Sequence, residues 1–318
     1  MRRLTLNPTR SFAPALAALA ILHVAAPVAA AIVALDGFDD GNRVNTPDGI
    51  NWYSIQSATT PALSVASDAG GIGSGNALFV NPGSGSREIM GTFNAPIALG
   101  STVGSTLTLS FDVRSNSANP TGQFRFGLYK SSQPIGTGGF GTSDGVFDRT
   151  EPGVALDQGA FGQLDFAAGN STRIRTEANL NDGTADSQVL STSAGAGDNF
   201  LVAQPASGAF HTLNAAGGKN SVVFAIERLA ATNNPEDFRF TLSLINAGGT
   251  SVLTGSPSAG PAVTEFDYFV ATATGTVDWV LDNFQIEVNS AAVPEASSLA
   301  LLTAAALFGS VLRRRKDR

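Results

Sequence analysis

The sequence predicts an all-β protein, an antiparallel β-sandwich, and three observations predict it. Apolar residues alternate strictly with polar ones over runs of about five to eight residues, the period of a half-buried strand. Clusters of Gly, Ser, Asn and Pro punctuate those runs, as turns do. No internal segment carries an apolar stripe at helical spacing. Two such sheets, each with one apolar face, bury those faces against each other.

The elements follow in chain order. Leu107, Leu109, Phe111 and Val113 alternate with Thr108, Ser110, Asp112 and Arg114, and Phe124, Phe126 and Leu128 alternate with Arg125, Gly127 and Tyr129. Val222, Phe224 and Ile226 form a third set, Phe238, Phe240, Leu242 and Leu244 a fourth, and Val277, Trp279 and Leu281 a fifth. Phe284, Ile286 and Val288 are one residue out of phase with that fifth set. The slip predicts a β-bulge at Asp282-Asn283, since one extra residue re-aims every side chain after it. Segments 136–145, 181–197 and 247–260 read as long polar connections, either spacers or binding loops. No repeat and no second domain is visible.

Residues 31–292, the part that must fold, hold 11 Lys/Arg against 24 Asp/Glu, a net charge of −13. That balance opposes nucleic acid as a partner, because such binding needs Lys and Arg to neutralise phosphate. It suits solubility and divalent cations. The chain has no cysteine, so the domain must stand on its core without disulfides, which its size permits.

The two ends read as transport signals. Arg2, Arg3 and Arg10 precede a nearly uncharged stretch, 12–31, in which Val28 and Ala30 suit cleavage before Ala31 or one residue later. Residues 1–30 are therefore expected to be a signal helix that meets the Sec translocon and signal peptidase. A retained N-terminal anchor is the alternative, opposed by Pro14 and Pro27. At the other end, within 293–318, Val293-Pro294-Glu295-Ala296 precedes an apolar run, 297–312, and a basic stop of Arg313, Arg314, Arg315 and Lys316. Sixteen helical residues rise about 24 Å, somewhat short of a ~30 Å hydrocarbon core. Ala304, Ala305, Ala306, Leu307 and Phe308 leave no polar face for an amphipathic core helix. The run is predicted to be a single transmembrane helix whose basic end stays in the cytoplasm.

This tail resembles the PEP-CTERM sorting tail of exported bacterial proteins, with Ala296 at the third motif position, where the family has proline. The resemblance implies recognition by an exosortase, transient anchoring in the inner membrane, and release to the outer surface or an exopolysaccharide matrix. Within the body, Asp36-Gly37-Phe38-Asp39-Asp40-Gly41 and Leu281-Asp282-Asn283-Phe284-Gln285-Ile286 resemble the first and last strands of a jelly roll. His211, followed by the strands at 222–228 and 238–244, is similar in spacing to the middle of concanavalin-like, laminin-G-like domains. A galactose-binding-like jelly roll is the alternative topology.

Such modules hold a structural calcium where the first and last strands meet, and the resemblance would bring Asp36, Asp39 or Asp40 near Asp282. Calcium takes six to eight oxygens; turn-capping Asp and Asn explain the same residues without metal. For carbohydrate, the candidate stacking rings are Trp52, Tyr53 and Tyr129, with core or rim packing as the other reading of each. Trp279 shares a face with Val277 and Leu281 and is assigned to the core.

Enzyme chemistry finds little support. After signal cleavage His211 is the one histidine left, a surface or strand-edge residue, and no Gly-x-Ser-x-Gly elbow occurs. Glycoside hydrolysis needs two carboxylates at set distances. Glu265-Phe266-Asp267-Tyr268-Phe269-Val270 resembles the alternating acidic strand of concanavalin-like endoglucanases but lacks the second Glu. The simpler reading puts Glu265 and Asp267 outside and Phe266, Tyr268 and Val270 in the core. The expectation is an exported, non-enzymatic structural or interaction protein of the cell surface or matrix. A carbohydrate-binding module and a degenerate or unrecognised glycoside hydrolase are the alternatives.

Overall fold

The computed structural model describes residues 30–44, 49–56, 62–68, 71–73, 75–81, 87–131, 146–148, 157–167, 172–177, 199–203, 210–213, 218–274 and 277–291. The segments at 1–29, 136–145, 181–197 and 293–318, and with them the signal, loop and tail readings, lie outside the described residues.

Sixteen strands are described. They are β1 (Ala31–Asp36), β2 (Ile50–Gln56), β3 (Ala62–Ser67), β4 (Asn76–Asn81), β5 (Arg87–Ala98), β6 (Thr106–Ser115), β7 (Gln123–Lys130) and β8 (Val146–Asp148). The second half holds β9 (Gln158–Asp165), β10 (Arg173–Glu177), β11 (Asn199–Ala203), β12 (Asn220–Arg228), β13 (Phe238–Asn246), β14 (Gly249–Gly255), β15 (Glu265–Ala273) and β16 (Trp279–Asn289). They form two eight-stranded sheets. The first runs β14-β13-β12-β6-β16-β4-β3, with β1 also on β16; the second runs β11-β10-β9-β7-β15-β5-β2-β8. Every described pairing is antiparallel except β2 with β8, which is parallel.

The predicted alternation is the lattice of the core. Phe224 lies opposite Leu109 on one side and Leu242 on the other, and Ile226 opposite Leu107 and Phe240. All of these are buried. The second sheet answers with Phe124, Phe126 and Leu128, so the apolar faces meet across the sandwich. Phe126 touches Phe111 edge-on at 5.0 Å and Phe224 at 5.8 Å, the arrangement that the ring quadrupole favours. Trp279 is fully buried and edge-on to Phe124 at 5.0 Å.

The bulge is where the phase slip places it. Asp282 pairs with Asp112 but Gln285 with Ser110, so β16 carries one residue more than β6 over this stretch. Asn283 takes up the excess at φ 52°, a left-handed conformation that Asn tolerates better than most residues. Leu281, Phe284 and Ile286 all stay in the core as a result. Before the bulge β16 pairs with β4 at Trp279–Leu281, and after it with β1. The first and last strands of the domain are therefore neighbours.

Two expectations are corrected. Segment 247–260 is not one long connection: Asn246 pairs with Gly249, and β14 follows at once as an edge strand. Its residues are small and polar, and Ser251 and Leu253 alone turn inward, so the alternation is too weak to read. On β15, Tyr268 and Val270 do not join Phe266 in the core. The register breaks between Phe266 and Tyr268, which hands the inner face to Phe269, Ala271 and Ala273. Tyr268 passes to the outer face of the second sheet. His211 is the strand-edge residue expected: it is half-buried, its backbone N–H donates to Ser251 Oγ at 2.9 Å, and its ring lies against Gly248.

Candidate functional site

The outer face of the second sheet is the unexpected part of the molecule. Reading across the strands, one row runs Glu88, Thr272, Arg125, Gln163 and Arg173. The next runs Tyr53, Met90, Val270, Gly127, Phe161 and Arg175. A third runs Asn51, Thr92, Tyr268, Tyr129, Gly159 and Glu177. Alternation alone assigns such polar residues to water. Instead Glu88, Arg125, Tyr129, Gln163, Arg175, Glu177 and Tyr268 are all at most 3% exposed.

Buried polar groups need partners, and here they find one another. Tyr129 donates its hydroxyl to Glu177 Oε2 at 2.5 Å, and Arg175 pairs with Glu177 Oε1. Tyr268 donates to Asp157 Oδ2 at 2.6 Å. The two tyrosine rings stack at 5.7 Å with an interplanar angle of 18°. Arg125 donates to Gln123 Oε1 from Nε at 3.3 Å and from Nη2 at 2.7 Å. The Arg175 guanidinium lies 4.5 Å over the Phe161 ring, a cation–π contact. Glycine makes room for the tyrosines. A Cβ on Gly159 would come within 2.4 Å of Tyr129 Cδ1, and one on Gly127 within 2.7 Å of Tyr129 Cε2.

The electrostatics are those of crowded cations. Burial lowers the pKa of Arg125 to about 10, and Arg173 and Arg175 push it the same way against the pull of Glu177 and Glu88. Burial and Arg175 lower Arg173 as well. Burial raises both tyrosines well above the usual phenol range, reinforced by Glu177 at Tyr129 and by Asp157 at Tyr268.

The rings proposed for carbohydrate stacking are redistributed. Trp52 is fully buried in the core, edge-on to Phe284 at 5.1 Å, with its Nε1–H donated to Asp36 Oδ2 at 2.7 Å. It offers no exposed face, because β2 turns it inward. Tyr129 is on the polar side of β7, as expected, but that side is buried and its ring is already stacked on Tyr268. Tyr53 is half-buried opposite Met90, at the edge of the same face.

The calcium candidates have different settings. Asp36 is buried and accepts from Phe38 N at 2.8 Å and from Trp52 Nε1, so its work is to pin the indole. Asp40 is exposed and accepts from Asn42 N. Asp39 and Asp282 approach two glycines of one short segment: a Cβ on Gly73 would lie 1.6 Å from Asp282 Oδ2, and one on Gly75 2.0 Å from Asp39 Oδ1. Burial raises Asp282 to about 6, with Asp112, Asp39 and Asp68 adding to the rise against the amide of Asn283. Among the described residues, no group of three or more His, Asp or Glu stands where it could hold a metal ion.

The acidic pair on β15 is tied up at the margin. Glu265 meets Lys130 at 3.8 Å, and Asp267 accepts from Ser131 N at 2.7 Å while burial raises its pKa. Sequence reasoning missed Glu88, Asp157, Gln163, Arg173, Arg175 and Glu177. The signal that could have found half of them is Arg173-Ile174-Arg175-Thr176-Glu177, a period-two strand with charges on one face, beside the glycine-spaced Gly159-Ala160-Phe161-Gly162.

No family model and no curated protein matches the chain. Among solved structures it is similar to lectin II from Ulex europaeus, at 14% identity over 79% of this chain and 97% of that one, with a TM-score of 0.42. It is similar to the PL-14 alginate lyase from Aplysia kurodai, at 14% identity over 70% and 86%, with a TM-score of 0.43. A carbohydrate esterase from the bacteriophage phi24B is similar at 15% identity over 82% and 100%, with a TM-score of 0.42.

Proposed function

We propose that this chain is an exported protein of the cell surface or extracellular matrix whose sandwich binds an acidic saccharide on the outer face of its second sheet. The observation that supports this most is the trio Arg125, Arg173 and Arg175, carried by β7 and β10 around Gln163 on β9. Guanidinium forks match carboxylates in a bidentate way. Burial, and then repulsion from Arg173 and Arg175, lower Arg125; a uronate carboxylate placed among them would favour its charged form. Gln163 offers a donor and an acceptor to sugar hydroxyls, and the Tyr129–Tyr268 pair offers ring edges and further acceptors through Glu177 and Asp157. Because the face is withdrawn from solvent, the ligand enters through an opening motion, and apparent affinity falls with the open fraction.

Calorimetric titration with uronic-acid oligosaccharides and with neutral ones of equal length tests this. Acidic oligosaccharides should bind, more weakly at high salt, and Arg125→Gln should weaken them at least tenfold. Equal binding of both classes, or no binding of either, defeats the reading.

The ends belong to the same proposal: residues 1–30 export the chain, and Val293-Pro294-Glu295 with 297–312 and Arg313–Lys316 form a tail sorted by an exosortase. The order and spacing of these three parts support it. Pro294 keeps the motif extended, open to a protease just outside the span. Replacing Pro294-Glu295 by Ala-Ala should leave full-length protein in the inner membrane. Surface material that still yields peptides through Arg315 by mass spectrometry would leave a plain membrane anchor instead.

A further inference from the structure

We infer that one end of the sandwich is a lipid-facing surface, seated on the outer leaflet while the tail is still in the membrane. Seven large apolar side chains are conspicuously exposed among the described residues, and four of them cluster. Ile32 (54%), Val33 (42%), Val103 (50%) and Leu229 (39%) gather at the end of the first sheet where β16 finishes. Ala31 pairs with Val288, and Thr106 with Asn289, which sets both the start of β1 and the start of β6 beside that exit. The loop that carries Val103 touches the last described residues: a Cβ on Gly104 would lie 3.5 Å from Ala291 Cβ, and Gly104 N donates to Arg228 O, next to Leu229. A hollow of about 360 Å³ between Val33, Ala95, Pro96, Ile97, Ala98 and Val288 continues the apolar surface. Ala95 and Pro96 are exposed on its rim.

Clustered apolar exposure marks an interaction site, and the chain itself says with what. From Ala291 only five residues, 292–296, precede the uncharged run 297–312. At no more than ~3.6 Å each, they hold the exit point within roughly 20 Å of the bilayer. This inference rests on the tail reading above and adds to it. The opposite end of the domain, beyond the reach of so short a tether, carries Ile245, whose register partner Ser221 sits opposite Asp112, six residues along β6 from Thr106.

The chain has no cysteine, so single replacements carry one environment-sensitive dye each: Val103→Cys, Ile32→Cys, and Ile245→Cys as the comparison. Full-length protein is reconstituted into phosphatidylcholine vesicles containing a doxyl-lipid quencher. Dyes at 103 and 32 should shift to the blue and be quenched several-fold more than the dye at 245. If the chain sediments with vesicles but all three dyes are quenched alike, the lipid-facing surface is refuted and the tail reading stands. If the chain does not sediment with vesicles, both fall. A blue shift at 103 and 32 that grows with protein concentration and ignores the quencher assigns the patch to a second copy of the chain and overturns the proposal.

Discussion

Strand β7 presents two faces with opposite chemistry and nearly the same burial. Phe124, Phe126 and Leu128 enter a close-packed aromatic core, while Arg125 and Tyr129 on the other side enter a polar network that is just as dry. The inner face is held by non-directional packing, in which any apolar shape of the right size contributes. The outer face is held by specific pairs, in which each member is worth most while its partner is present. The two faces should therefore fail differently when cut.

The largest effect should come from the core. Phe126→Ala removes a ring that meets Phe111, Phe124 and Phe224, and should destabilise the fold by about 3–5 kcal/mol in urea titration. A loss under about 1 kcal/mol would mean that the inner face is not packed as described.

On the outer face, Glu177→Ala removes the carboxylate that pairs with Arg175 and accepts from the Tyr129 hydroxyl, and should cost about 3 kcal/mol. The double variant Arg175→Met, Glu177→Leu should cost less than that single change, since a buried ion pair replaced whole by apolar groups is often neutral. A double variant worse than the single would show that the network adds stability in its own right.

The smallest effect separates a third environment, the bulge. Asp282 holds its proton up to about 6 in the folded protein, against 3.8 ordinarily. Below pH 3.8 both states are protonated and the residue is harmless. Between about 4 and 6 the unfolded chain ionises first, so stability contributed here falls as pH rises, and above 6 the full penalty applies. Asp282→Asn keeps an acceptor for Asn283 N and should remove that fall, gaining on the order of 1 kcal/mol at pH 7. The difference between the two proteins should vanish at pH 3.5; a difference that persists there would assign the effect to packing.

The same contrast explains what could be read in advance. Alternation identifies which side chains share a face, and for β6, β12, β13 and β16 the inner members were plain, down to the bulge at Asp282-Asn283. It does not say what lies beyond the other face. Tyr129 was on the side expected of it, yet that side meets Tyr268 and Glu177, from strands 139 and 48 positions away. Trp52 gave no sign that Asp36 would take its indole N–H, since two short strands far apart in pattern set that meeting. The polar strands β9 and β10 escaped because both of their faces are buried, so polarity no longer marks water.

The order of strands along the chain is not the order in which either sheet can close. In the first sheet β16 alone joins β6 to β4 and β1, and in the second β15 alone joins β7 to β5. These two are the last strands to be made. Without residues 265–289 the first sheet is a four-stranded piece, a β3–β4 hairpin and a lone strand, and the second is split in two. Both sheets must therefore wait in separate pieces. Contacts of such sequence separation form slowly. Closure of both sheets therefore comes late, when β15 and β16 at last bridge pieces that have already paired among themselves.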